Sequence, residues 1–137
     1  MHFWLADGLN NHCECENCIK TTPSDLYVKM LNELDNCLSK KGFKTKIVFL
    51  IYFELLWPPQ IERLQNEERF ILMFAPITRT YSQVFSAEDV TGALPPFTRN
   101  NITLAKSVEE NLSFLSAWKK QFNGDSFDFD YHLYLDH

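Results

Sequence analysis

The sequence predicts an α/β fold built on a parallel sheet, and three observations predict it. Apolar runs at 3–6, 47–53 and 70–75 are unbroken rather than alternating, as expected of strands covered on both faces. Stretches at 24–41 and 104–122 instead repeat apolar residues at helical spacing. The order is strand, helix, strand, short helix, strand, helix, strand. With the short helix set aside this is a β-α-β-β-α-β pattern, whose alternation implies right-handed crossovers and parallel neighbours. A closed eight-stranded barrel takes about 200 residues or more, so four strands in 137 residues correspond to half of a (β/α)8 barrel. Half a barrel leaves a sheet edge uncovered. The expectation is therefore a single α/β domain over 1–137 that is a partial barrel or a piece of a longer chain, that pairs as a homodimer, or whose sheet stays open.

Taken in order, Phe3-Trp4-Leu5-Ala6 is too short for a helix and fits a buried strand, which Asp7-Gly8 breaks. A loop with cysteines at 13, 15 and 18 follows, and Pro23-Ser24 opens a helix with Ser24 as N-cap and Asp25 at the positive end of its dipole. Tyr27, Met30, Leu31, Leu34 and Leu38 give that helix its apolar face, and Lys40, Lys41 and Gly42 its stop. The second strand, Thr45–Phe53, ends at Glu54, and Trp57-Pro58-Pro59 prevents further pairing. Ile61–Gln65 has room for one or two helical turns before the third strand, Phe70–Ala75, which Pro76 closes. A loop to about Asn101 carries Tyr81, Phe85 and Phe97, aromatic enough to be ordered. Leu104, Val108, Leu112, Leu115, Trp118 and Phe122 then form a helical stripe stopped by Asn123-Gly124. Phe127–Leu135 alternates strictly, with Phe127, Phe129, Tyr131, Leu133 and Leu135 on a packed face and Asp128, Asp130, His132 and Tyr134 on a polar one.

Composition narrows the function. Twelve Phe, five Tyr and three Trp supply a sizeable core. A formal charge of -5 with no Lys/Arg cluster argues against a nucleic-acid partner, which needs several cations on one face. The longest apolar stretch, Ile47–Phe53, is far short of a membrane span, and residues 1–20 lack a basic start followed by an apolar segment. The chain reads as unexported and cytoplasmic, with compartment left open by the possibility of a leader before Met1. No Gly-rich phosphate loop or nucleophilic serine elbow occurs, so no organic cofactor is expected.

Asp7, Glu54 and Asp130 each fall at the end of a strand, and a parallel sheet brings such ends to one rim. Glycoside hydrolysis uses two carboxyls, one protonating the leaving oxygen and the other attacking or activating water. The plainer readings are a turn or helix-cap acid at Asp7, an ion pair with Arg79 or simple exposure for Glu54, and a solvated strand face for Asp130 and His132. Trp57, Arg79, Tyr81, His132 and Asn11 are the candidates for holding a saccharide, since sugars offer apolar ring faces and hydroxyls. Cys13, Cys15 and Cys18 in CxCxxC spacing suggest a structural zinc, with His12 as the fourth ligand; reduced thiols and a disulfide are the alternatives. Cys37 lies about 18 Å along its helix at about 1.5 Å per residue and is too far.

With these segments placed, the chain resembles a bacterial glycoside-hydrolase-like domain of unknown function, akin to the barrels of alpha-glucuronidases and hexosaminidases. The resemblance is carried by Asp7-Gly8 before the cysteines; Pro23-Ser24-Asp25-x-Tyr27; Pro58-Pro59; Phe74-Ala75-Pro76-Ile77-x-Arg79; and Trp118 followed by Asp130-Tyr131-His132. It implies a carbohydrate-active barrel, in larger polysaccharide-degrading proteins, that hydrolyses or recognises a glycan. The alternative is a non-catalytic carbohydrate-binding or interaction module that associates through its open sheet edge.

Overall fold

A computed structural model of the chain describes residues 1–79, 82, 84, 86 and 93–130. Among them lie four strands and two α-helices: β1 (His2–Phe3), α1 (Pro23–Lys40), β2 (Ile47–Ile51), β3 (Phe70–Phe74), α2 (Val108–Lys119) and β4 (Ser126–Asp128). The strands form one sheet in the order β1-β2-β3-β4, every neighbouring pair parallel. The α/β parallel architecture is therefore present. Its order is sequential, unlike that of doubly wound sheets, which reverse direction at a switch point.

β2 is buried at all five positions, which explains its unbroken apolar sequence. Ile47, Phe49 and Ile51 join Phe70, Leu72 and Phe74 of β3 in a core with Tyr27, Val28 and Leu31 of α1 and Phe114 and Trp118 of α2. Both helices thus pack on one face of the sheet. Phe49 is the hub, its ring 5.3 Å from Phe122 and 5.7 Å from Trp118. The other face gathers Val48, Leu50, Tyr52, Met73 and Ala75. Burying each large apolar side chain contributes about 1.5–3 kcal/mol, so the pattern of β2 and β3 fixes the sheet.

Several boundaries differ from the sequence reading. The first strand stops at Phe3 instead of Ala6 because a side chain interrupts its ladder. Val48 N–H reaches the Met1 carbonyl at 2.7 Å, and the same register would carry Leu50 N–H to Phe3. The Tyr27 hydroxyl stands between them, donating to the Phe3 carbonyl and accepting from Leu50 N–H at 3.1 Å. Burial pushes the Tyr27 hydroxyl well above the ordinary tyrosine range, so it stays a donor.

α1 is capped by Thr22, not Ser24: the Thr22 hydroxyl accepts from Asp25 N–H at 3.1 Å and the Asp25 carboxylate accepts from Thr22 N–H at 3.0 Å, closing a capping box. Pro23 takes the first helical position, and Ser24 donates its hydroxyl to the Trp57 carbonyl. Gly42, at φ 75°, supplies the left-handed residue after the helix.

The helical turns expected at Ile61–Gln65 are absent. α1 takes that segment's backbone groups instead: Asp25 accepts from the N–H groups of Ile61 and Glu62, and Asn32 donates to the Arg63 carbonyl and accepts from Gln65 N–H. Side-chain bonds of this kind compete with local helix formation. A 3-10 turn at Glu67–Arg69 leads into β3.

α2 begins at Val108, where Ser107 accepts from Glu110 N–H, so Leu104 precedes the helix and does not belong to it. It ends at Lys119, before Asn123-Gly124. Gly124 is needed for space and not for a cap, because a Cβ there would stand 2.3 Å from the Phe122 ring. In β4 the face expected to be packed is open: Phe127 and Phe129 are 42% and 44% exposed. Among the described residues β4 has β3 as its one strand neighbour. Tyr131, Leu133, Tyr134 and Leu135 lie outside the described residues, as do Tyr81, Phe85 and His132.

Candidate functional site at the carboxyl rim

The carboxyl ends of the strands carry three groups of polar side chains. The first surrounds Glu54. Leaving β2, the chain turns sharply at Phe53, whose φ of 50° is costly for a bulky residue, and enters a 3-10 turn at Phe53–Leu56. That turn buries Glu54 to 2% exposure. Its Oε1 accepts from the Asn10 N–H at 2.5 Å, and its Oε2 lies 3.7 Å from His12 Nε2. Asp7, exposed after β1, accepts from the Tyr52 hydroxyl at 3.2 Å. Asp7 lies beyond β1 and Glu54 beyond β2, and the bond from Tyr52 to Asp7 ties the two segments together. A cavity of about 20 Å³ lies between Leu5, Gly8, His12, Tyr52 and Glu54, room for a water and not for a sugar ring. Asn11 is exposed, and its amide lies so close over Gly8 that a Cβ there would meet it at 2.4 Å.

The second group is Arg79 with Asp130. Arg79 Nε is 3.0 Å from Asp130 Oδ1 and Nη2 donates to Oδ2 at 3.1 Å. The plain reading of Glu54 as the partner of Arg79 thus does not apply, since Arg79 pairs with Asp130. The three predicted acids share the rim but not one cluster: Asp7 and Glu54 sit over β1 and β2, whereas Asp130 sits beyond β4 with Arg79.

The third group is the cysteine loop. The sulfurs of Cys13, Cys15 and Cys18 all lie within 4.8 Å of one another, and among the described residues no His, Asp or Glu joins them. His12, expected as a fourth ligand, turns its Nε2 to Glu54. A hydrogen bond from the Cys18 backbone, helped by Asn17 and the neighbouring thiols, lowers the Cys15 pKa to about 7. The Cys18 pKa is raised to about 11, first through its hydrogen bond to Cys15 and then to Cys13.

Trp57 is buried, edge-on to Phe97 and Phe114, with its indole N–H on the Pro95 carbonyl at 2.7 Å. It backs an open groove of about 530 Å³ whose walls include Pro58, Pro59, Pro96, Arg63 and Lys120. Tyr81 and His132, the other saccharide candidates, are outside the described residues.

The chain matches no family model, no curated protein and no solved structure.

Sequence reasoning missed Asn10, Arg99 and Asn100. Arg99 donates to the carbonyls of Cys13, Cys18 and Thr21. Asn100 accepts from His12 N–H and donates to the His12 carbonyl, both at 2.7 Å. Asn10 donates to and accepts from the Ile102 backbone. Asn10 and Asn100 have φ of 55° and 56°, and asparagine is the residue besides glycine that visits this region most readily. Asparagine pairs at 10–11 and 100–101 were the available signal.

Proposed function

We propose that the chain is a carbohydrate-active, glycoside-hydrolase-like domain whose rim acids engage a glycan, with Asp7 and Glu54 as the working carboxyl pair. The observation that carries this reading is an exposed acid, Asp7, held by Tyr52 just before the turn that buries Glu54, on the carboxyl side of a sequential parallel sheet, the edge where such folds collect chemistry. Asp7 is open to solvent, as suits a nucleophile or base, and Glu54 lies behind it against Leu55 and a water-sized cavity, from which it would act on a glycan through a water. Backbone strain supports the same location: Phe53, at φ 50°, directly precedes Glu54, and strained residues concentrate at functional sites. The finer reading of the thiol group is a structural zinc ion on Cys13, Cys15 and Cys18.

A panel of aryl glycosides and a glycan array test the proposal on the full chain. Hydrolysis by the wild type, lost in Asp7→Asn and in Glu54→Gln with the fold intact by circular dichroism, is the expected result. A chain that neither cleaves nor retains any glycan overturns it. Recognition without hydrolysis is a second reading, favoured by the pairing of Asp130 with Arg79; retention on the array without turnover selects it.

A further inference from the structure

We infer that metal occupancy of the three thiols governs how firmly Asn10 and His12 dock on Glu54, so that the cysteine loop is a metal-dependent staple for the rim. The inference rests on the zinc reading of Cys13, Cys15 and Cys18. Two thiolates on one tetrahedral zinc stand about 3.8 Å apart, given Zn–S bonds of about 2.3 Å. The sulfurs already lie within 4.8 Å of one another, so small shifts suffice to bind the ion.

A side chain from outside the loop spans the same residues. Arg99 Nη1 donates to the Cys13 carbonyl at 3.2 Å, and Nη2 to the carbonyls of Cys18 and Thr21 at 2.6 Å each. A metal joining the sulfurs of Cys13 and Cys18 fixes the two carbonyls that seat the guanidinium. Zinc with three thiolates carries a net charge of about -1, which the Arg99 cation neutralises. The next residues pass the constraint onward: Asn100 holds both backbone groups of His12, and Ile102 holds the Asn10 side chain while the Asn10 N–H rests on Glu54. The cysteine loop, Arg99, the 100–102 segment and Glu54 are thus linked by hydrogen bonds and the intervening covalent chain. Linkage makes the effect reciprocal: whatever fixes the rim must also tighten the metal.

Amide hydrogen exchange read by NMR on the full chain, stripped by chelator and then loaded with zinc, tests this. Zinc is expected to bind one per chain and to slow exchange at Asn10, His12 and Ile102 at least fivefold, the low end of coupling factors of about 5 to 150, while Leu72 in β3 is unaffected. Arg99→Ala keeps the three thiols and is expected to bind zinc without slowing those amides. Stoichiometric zinc with unchanged exchange in the wild type, or undiminished slowing in Arg99→Ala, overturns the staple and leaves the zinc reading standing. Absence of bound zinc, with binding no better than in Cys15→Ser, overturns both.

Discussion

At the amino end of the sheet, Arg69 is enclosed by acceptors: its Nε meets Asp35 at 2.6 Å, Nη1 donates to the carbonyls of Phe43 and Thr45, and Nη2 donates to Ser39. Asp35 in turn accepts from Asn66 and Ser39. At the carboxyl end Asp7 faces solvent with Tyr52 beside it, and Glu54 adjoins a cavity of water size. The same sheet therefore ends in a charge network that ties α1 to the start of β3, and in one exposed acid beside one buried acid. In parallel α/β folds the first kind of end serves stability and the second serves chemistry.

Arg69→Ala is the strongest way to break that contrast. Removing one partner of a buried, hydrogen-bonded pair costs about 3–5 kcal/mol, and urea unfolding should show a loss of that size. A loss below about 1 kcal/mol, the range of exposed pairs, would mean that the amino end is no more structural than the rim.

Asp25 sharpens the comparison, because it lies toward the rim end of α1 and yet is wholly used by the fold. Burial pushes its pKa up, but hydrogen bonds from the backbone of Glu62, Thr22 and Ile61 and from the Thr22 hydroxyl outweigh burial and hold it below the usual value. A lowered folded pKa means that ionised Asp25 stabilises the protein at pH above the unfolded value, about 3.9, and that this contribution fades as pH falls through the folded value. Asp25→Asn is expected to cost about 2–4 kcal/mol at neutral pH, from the cap and the two backbone donors left short. It should also flatten the acid limb of a stability-versus-pH curve; an unchanged limb would assign that limb to other carboxylates.

How much of this was legible in the sequence follows from which forces set each feature. β2 and β3 were readable because burial on both faces leaves a one-letter pattern of apolar residues. The end of β1 was not, because it depends on a tyrosine hydroxyl arriving from α1. The segment at 61–65 misled for the same reason: its hydrogen bonds belong to Asp25 and Asn32, far away in sequence. At the rim, Arg99, Asn100 and Asn10 act through backbone carbonyls and amides that carry no residue identity to read.

Tyr27→Phe probes the border between the two ends. It removes the hydroxyl bridging Phe3 and Leu50 and keeps the stacked contact between the Phe3 and Tyr27 rings, 6.0 Å apart. A cost of about 1–3 kcal/mol is expected for the backbone groups left facing each other. Should the variant prove as stable as the wild type, the two strands have closed the ladder directly and β1 has lengthened, which exchange at Leu50 N–H would reveal.

Asp7→Asn should have the smallest effect on folding and the most consequence for function. The side chain is exposed and its bond to Tyr52 is available to an amide oxygen as well as to a carboxylate, so unfolding should shift by no more than about 0.5 kcal/mol. Loss of charge at the same position removes a nucleophile or base outright, and turnover of any glycoside the wild type cleaves should fall by about 100-fold or more. The pairing of those two readouts is what separates the ends of the sheet. A destabilisation approaching that of Arg69→Ala would make Asp7 one more member of a structural network, and the carboxyl rim would then offer Glu54 alone, too enclosed to meet a sugar unaided.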